Sequence, residues 1–170
     1  MSIEYFQRRQ NILREKIAKE NLDGMLVTNL THIRYLCGFT GSSATLLITD
    51  DEIHFITDGR YVVQSEKEVK GANVIIDSIP HFEVIRNKGL LKNEQKIGFD
   101  GNNVTHQGYQ QISKVLSSQH LVNITGVIEK LAMVKDDKEL EAIKTAVEIT
   151  DKAFSEVLPM VQIGVEEKII

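Results

Sequence analysis

Short runs of strand-forming residues alternate with segments of helical periodicity along most of the chain. A short apolar or β-branched run bounded by Gly, Asp or Asn is typical of a buried strand, whereas apolar residues recurring every three or four positions indicate a helix. The pattern predicts strands over residues 25–28, 44–49, 53–57, 73–79, 96–99 and 121–124. It predicts helices over residues 4–21, 60–69, 82–91 and 105–116, and a helical turn over residues 31–36.

The second and third of these strands are separated only by Asp50-Asp51-Glu52, which is typical of a hairpin turn. A hairpin makes its two strands antiparallel, whereas strands that are joined through a helix usually run parallel. The sequence therefore predicts an α/β fold in which helices flank a mixed β-sheet.

Side-chain burial can also be predicted from these patterns. His54 alternates with Ile53 and Phe55 in its strand, so we expect it on the solvent face of the sheet. The helical periodicity of residues 60–69 places three valines against the core, namely Val62, Val63 and Val69.

Charge and composition restrict the possible partners. The chain has 170 residues, 42% hydrophobic and 26% charged, which is ordinary globular composition. A net charge of -4 offers no basic field, so we expect no nucleic acid partner. No segment is long and apolar enough to span a membrane, and Glu4, Arg8 and Arg9 stand where a secretory signal needs apolar residues. We expect a cytoplasmic protein that binds no membrane.

Residue types that carry chemistry form no local motif. Five histidines occur without metal-ligand spacing, and we expect structural or surface roles for His32, His54, His81, His106 and His120. The single cysteine, Cys37, lies in an apolar stretch and is expected to be a small buried hydrophobe. The glycines at 38 and 41 lack the lysine of a phosphate loop, and no nucleophile motif occurs. The sequence predicts no catalytic residue and no metal ligand in this chain.

The character of the sequence changes near Lys135. Asp136 followed by Glu139 is typical of a helix start, and apolar residues then trace one helical face as far as Pro159. The segment after Ile163 is similar to the beginning of another helix. We predict one domain over residues 1–130, and a linker with the truncated start of a second domain over residues 131–170. The apolar face of the long helix is expected to need a partner outside residues 1–130.

Two motifs that flank the predicted hairpin resemble the amino-terminal domain of creatinase/prolidase-type Xaa-Pro peptidases. They read IRYLCGFTGS at 33–42 and TDGRY at 57–61. IGFD at 97–100 and GVEE at 164–167 are similar to later segments of the same family, so the resemblance spans nearly the whole chain. It departs at Ala132, where relatives usually have arginine, and at Ala44, where a second glycine is common.

The resemblance implies a creatinase/prolidase N-terminal domain with a ribonuclease H-like motif. In this family a following pita-bread domain holds two divalent metal ions, of manganese or cobalt type, through two Asp, one His and two Glu. All five ligands would lie beyond Ile170, so the chain alone is expected to be inactive. The parent enzyme would be a homodimer that hydrolyses proline-containing dipeptides or peptides, as an Xaa-Pro dipeptidase or aminopeptidase P.

Three residues are candidates for contact with a substrate in such a parent. Arg60 could pair with a substrate carboxylate, or it could form a local salt bridge. Tyr35 and Phe39 could form an apolar wall near a proline ring, or they could pack in the core. Three other interpretations stay open: a creatinase-type amidinohydrolase domain, a non-enzymatic peptide-binding module of pita-bread type, and a free-standing ligand-binding domain.

Overall fold

A computed structural model describes residues 3–169 of the chain. The chain divides into two compact units between Met133 and Val134. The domain boundary predicted after residue 130 falls close to this division and stays a prediction. No helix in the described residues combines the length and the apolar character that crossing a membrane requires.

A six-stranded sheet forms the centre of the first unit. The strands are β1 (Gly24–Val27), β2 (Thr45–Thr49), β3 (Ile53–Thr57), β4 (Asn73–Ile76), β5 (Lys96–Phe99) and β6 (His120–Asn123). They lie in the order β4-β3-β2-β1-β5-β6. Strand β2 is antiparallel to both β1 and β3, while the pairs β3–β4, β1–β5 and β5–β6 are parallel. The predicted mixed sheet and its hairpin are confirmed.

Helices cover both faces of this sheet. The helices of the first unit are α1 (Ile3–Lys19), α2 (Leu30–Cys37), α3 (Val62–Glu68), α4 (His81–Asn87), α5 (His106–Val115) and α6 (Val127–Met133). Side chains of α1, α2 and α6 pack on one face, and those of α4 and α5 pack on the other. Both faces are therefore apolar, which explains why the central strands read as continuous hydrophobic runs.

The burial predicted for the valines of the third helix was partly wrong. Val69 is buried, but Val62 and Val63 are exposed. A 3-10 turn over Gly59–Tyr61 precedes α3, which itself begins only at Val62. The change of helix type rotates the first turn of α3 away from the orientation that a continuous helix from residue 60 would have.

The prediction that His54 faces solvent was also wrong. Its strand lies inside the sheet, and α4 covers the face that His54 shares with Ile56. His54 is therefore buried, and its Nε2 lies 3.0 Å from an Oε2 atom of Glu52 in the preceding turn. Alternation of residue types shows which side chains share a face, but it does not show whether a helix covers that face.

A long helix forms most of the second unit. Helix α7 spans Asp137–Val157 and begins with the predicted capping arrangement. The Glu139 amide donates to Asp136 Oδ1 at 2.9 Å, and the Asp136 amide donates to Glu139 Oε2 at 3.0 Å. The helix predicted to begin after Ile163 is limited to a 3-10 turn over Glu167–Ile169.

Candidate functional site

The two family-like motifs lie side by side at one end of the hairpin. The first motif leads into β2 and the second follows β3, and these antiparallel strands pair Thr45 with Ile56. The loop over residues 38–44 therefore meets the turn over residues 58–61. Thr57 Oγ1 donates to the Ser43 carbonyl at 2.7 Å, and the hydroxyls of Ser42 and Tyr61 share a hydrogen bond of 2.6 Å. We call this region the hairpin-end cluster, defined by residues 38–44 and 57–61.

Aromatic packing explains the second glycine of the first motif. Phe39 is 1% exposed, and its ring meets those of Phe55 and Tyr61 edge-on, with centroid distances of 4.7 and 5.3 Å. A Cβ atom on Gly41 would lie 2.7 Å from Tyr61 Cε1 and 2.8 Å from Phe39 Cε1. These distances are below van der Waals contact, so only glycine fits between the two rings without displacing them.

Helix α3 fixes the other side of the same loop. The Thr40 amide donates to Glu68 Oε2 at 2.8 Å, and the Thr40 hydroxyl contacts both Glu68 oxygens. Desolvation opposes ionisation of Glu68, but the Thr40 amide and the Gln64 side chain outweigh it and lower its pKa. Gly38 ends α2 with φ of 88°, the left-handed conformation that glycine adopts without strain. The loop is thus held at both ends.

An ion pair forms the exposed edge of the hairpin-end cluster. Arg60 Nε donates to Asp58 Oδ1 at 2.8 Å, and its Nη2 donates to Asp58 Oδ2 at 2.9 Å. These hydrogen bonds hold the pKa of the Asp58 carboxyl well below its ordinary value and raise the pKa of the Arg60 guanidinium. The Arg60 side chain is 69% exposed, and its remaining N–H groups can donate to another acceptor.

The three predicted site residues do not form one surface. Arg60 and Phe39 both contact the Tyr61 ring, Arg60 with its guanidinium carbon 5.3 Å from the ring centroid. Tyr35 instead lies under the Arg9 guanidinium of α1, whose carbon is 4.2 Å from the Tyr35 centroid. Because Phe39 is buried, its contribution to the cluster is to support Tyr61 from below. Contact of any of the three with a substrate stays a prediction.

A second cluster brings together residues that the sequence analysis did not connect. One ligand atom from each of His32, Asp100 and Glu129 lies within 4.8 Å of the other two. His32 Nε2 is 3.6 Å from Glu129 Oε1. Histidine nitrogen and carboxylate oxygen are ligand types that divalent metal ions accept. No local spacing could have revealed this cluster, because its members come from α2, α6 and the end of β5.

Comparison with known proteins identifies the family of the first unit. Residues 9–134 match the family model described as the Creatinase/Prolidase N-terminal domain. The uncharacterized peptidase YqhT of Bacillus subtilis is 33% identical over 165 residues, which cover 91% of this chain and 44% of that protein. The chain thus spans less than half the length of this relative.

Solved structures share the fold. The Xaa-Pro dipeptidase from Bacillus anthracis superposes with a TM-score of 0.87 at 29% identity, covering 95% of this chain and 45% of that one. The N-terminal domain of the cytoplasmic peptidase PepQ from Mycobacterium tuberculosis has a TM-score of 0.64 at 30% identity, covering 73% of this chain and 98% of that one. These matches confirm the fold predicted from the two motifs, and the chain belongs to the Creatinase/Prolidase N-terminal domain family.

Proposed function

We propose that this chain is the non-catalytic N-terminal domain of an Xaa-Pro metallopeptidase, a hydrolase that cleaves peptide bonds next to proline. The family match over residues 9–134 carries this proposal. It is supported by the B. anthracis Xaa-Pro dipeptidase, in which the matched region is 45% of the chain and leaves the larger part of that enzyme unaligned. In the parent protein of this chain, the catalytic groups would lie in a region that corresponds to the unaligned part of that enzyme.

The catalytic metals of such a parent enzyme would lie outside this chain. We propose two divalent ions of manganese or cobalt type, held by a following pita-bread domain, in a cytoplasmic homodimer. The X-prolyl aminopeptidase of Caenorhabditis elegans, which shares the fold at 21% identity, is a cytosolic enzyme with a di-nuclear active site. The role left for the present domain is steric. It would cover the metal cleft and exclude long peptides, while the homodimer would hold it in place.

Arg60 is the side chain that we propose to reach the substrate. Asp58 holds its guanidinium through two hydrogen bonds, so binding an acceptor would cost little additional side-chain entropy. The Tyr61 ring beneath it is itself fixed by Ser42 and Phe39. A substrate carboxylate or carbonyl could accept from the N–H groups that Asp58 does not use.

Kinetics of an arginine variant test this role in the complete enzyme. Arg60→Ala should lower kcat/KM for an Xaa-Pro dipeptide by about ten- to a hundredfold, the range for loss of a charged hydrogen bond, with little change in Tm. Arg86→Ala is the matched control, because Arg86 is also exposed and, among residues 3–169, its side chain donates only to the adjacent Asn87 side chain, at 3.3 Å. A lower Tm with unchanged kcat/KM would instead make Arg60 a brace of the turn.

A substrate panel separates the related activities. Xaa-Pro dipeptides, longer Xaa-Pro peptides and creatine distinguish a dipeptidase, an aminopeptidase P and a creatinase, which share this N-terminal fold. We propose the dipeptidase. Turnover of creatine without turnover of any Xaa-Pro substrate would favour the amidinohydrolase, and binding of peptides without turnover would favour a non-enzymatic module.

A further inference from the structure

The strand order reverses between β1 and β5. These neighbouring strands are parallel, but from β1 the chain continues through α2 to β2 on one side, and from β5 it continues through α5 to β6 on the other. In open α/β sheets, such a reversal leaves a crevice at the carboxyl ends of the two strands, where ligands preferentially bind. The cluster of His32, Asp100 and Glu129 lies at the carboxyl ends of β1 and β5.

Each member of the cluster is delivered by a different element at that edge. Asp100 directly follows the last residue of β5, and His32 lies in the first turn of α2, which follows β1. Glu129 comes from α6. The three candidate ligand atoms lie within 4.8 Å of one another, and the His32 and Asp100 side chains are largely shielded from solvent.

Two polar atoms of this cluster are buried without a hydrogen bond. Among residues 3–169, neither His32 Nδ1 nor Glu129 Oε2 has a hydrogen-bond partner. A buried polar atom that makes no hydrogen bond costs about 1–3 kcal/mol, so such atoms are uncommon unless something satisfies them. Glu129 forms an ion pair with His32, and no lysine or arginine among residues 3–169 is paired with Asp100 or Glu129. Glu129 Oε2 is therefore an unused ligand atom, and the cluster has two carboxylates for one imidazole.

A hydrogen-bond chain orients the ligands. Asp100 Oδ1 accepts from the Asn102 amide at 3.0 Å, and its Oδ2 accepts from Asn103 Nδ2 at 2.7 Å. Asn103 Oδ1 accepts from Asn29 Nδ2 at 2.6 Å, and Asn29 Oδ1 accepts from the His32 amide at 3.1 Å. Each Asp100 oxygen still has a lone pair for a cation. Such outer contacts are what fix ligand orientation in metal sites.

We propose that His32, Asp100 and Glu129 bind one Zn²⁺ ion in this domain. Zn²⁺ accepts one histidine nitrogen and two carboxylate oxygens at about 2.0–2.2 Å, with water completing the tetrahedron. Ligand atoms would then be about 3.3–3.5 Å apart, so each would move by less than about 1 Å from its present position. The ion would tie α2 and α6 to the end of β5. It is separate from the proposed catalytic pair, because all three ligands lie within the matched N-terminal domain.

Metal titration of the purified 170-residue chain tests the site. After chelator treatment, isothermal calorimetry with Zn²⁺ should give about one site per chain, and Zn²⁺ should raise Tm. His32→Gln and Glu129→Gln should each weaken binding at least about tenfold, since each removes a ligand. The matched control is Glu94→Gln, which alters the exposed His120–Glu94 pair, 2.8 Å apart, and should bind Zn²⁺ like the unaltered chain.

A readout on the unaltered chain covers the case in which a variant does not fold. In long-range ¹H–¹⁵N spectra of the imidazoles, Zn²⁺ should shift the nitrogens of His32 and leave those of His120 in place. Absence of a stoichiometric site would overturn the proposal, as would full affinity in the folded Glu129→Gln chain. Equal losses in Glu129→Gln and Glu94→Gln would also overturn it, because they indicate surface binding.

Discussion

Replacement of Gly41 by alanine tests whether the hairpin-end cluster is as tightly packed as its distances indicate. The added Cβ would lie 2.7 Å from Tyr61 Cε1 and 2.8 Å from Phe39 Cε1, while ordinary contacts begin near 3.4 Å. The rings must therefore shift by more than half an ångström, and Phe39 cannot do so without pressing on Phe55. Overpacking of this kind costs about 1–3 kcal/mol, so Gly41→Ala should lower the free energy of unfolding by that amount.

The second motif offers a matched control glycine. A Cβ atom on Gly59 would meet nothing within 4 Å, so Gly59→Ala should change stability by less than about 0.5 kcal/mol. Urea unfolding followed by far-UV circular dichroism measures both variants, with unchanged m values expected. In a Phe39→Leu background, Gly41→Ala should cost less, because one of the two rings that the added Cβ meets is gone and Tyr61 can move into the space that it leaves. Equal stability of the two alanine variants, or an equal cost in both backgrounds, would refute the packing argument.

The charged and sulfur-bearing groups give two further predictions. Because the folded pKa of Asp58 lies below its unfolded value of about 3.9, its stabilising effect is present above that pH and is lost as the pH falls. Asp58 Oδ1 also accepts from the Arg60 backbone amide at 3.1 Å, so the carboxylate stabilises the turn even without the Arg60 side chain. The Tm difference between the unaltered chain and Asp58→Asn should therefore shrink as the pH falls below about 5, and a constant difference would show that ionised Asp58 does not stabilise the turn. Burial raises the pKa of Cys37 to about 11, so Ellman's reagent at pH 8 should react with it only after unfolding. Rapid labelling of the native chain would show that the thiol is accessible.

Local sequence patterns predicted most of the fold because most of it depends on local signals. The β2–β3 hairpin was predicted to within one residue, since its strands are strongly apolar and its turn is acidic. Helix α6 was not predicted, because Val127–Met133 is too short for periodicity to stand out. Cys37 is buried as predicted, because the residues on both sides of it in the sequence are apolar.

The candidate sites were less predictable, because they depend on contacts between distant segments. The two motifs predicted the hairpin-end cluster. They did not predict that Tyr61 is its central residue, because that role depends on the hydrogen bond between the Tyr61 and Ser42 hydroxyls. The cluster of His32, Asp100 and Glu129 has no sequence signature. Each member looks like an ordinary polar residue until the sheet order brings β1 beside β5. The cluster therefore follows from the strand order of the sheet, which residue spacing does not predict.

Hydrolysis of an Xaa-Pro dipeptide by two proteins tests the proposed function most directly. The polypeptide encoded by the complete gene and the chain of residues 1–170 would be assayed side by side, with Mn²⁺, Co²⁺ and Zn²⁺ each supplied in turn. We predict metal-dependent turnover by the complete protein and none by residues 1–170, even when Zn²⁺ is bound at His32, Asp100 and Glu129. Metal-dependent turnover by residues 1–170 alone would contradict the assignment of this chain as a non-catalytic domain.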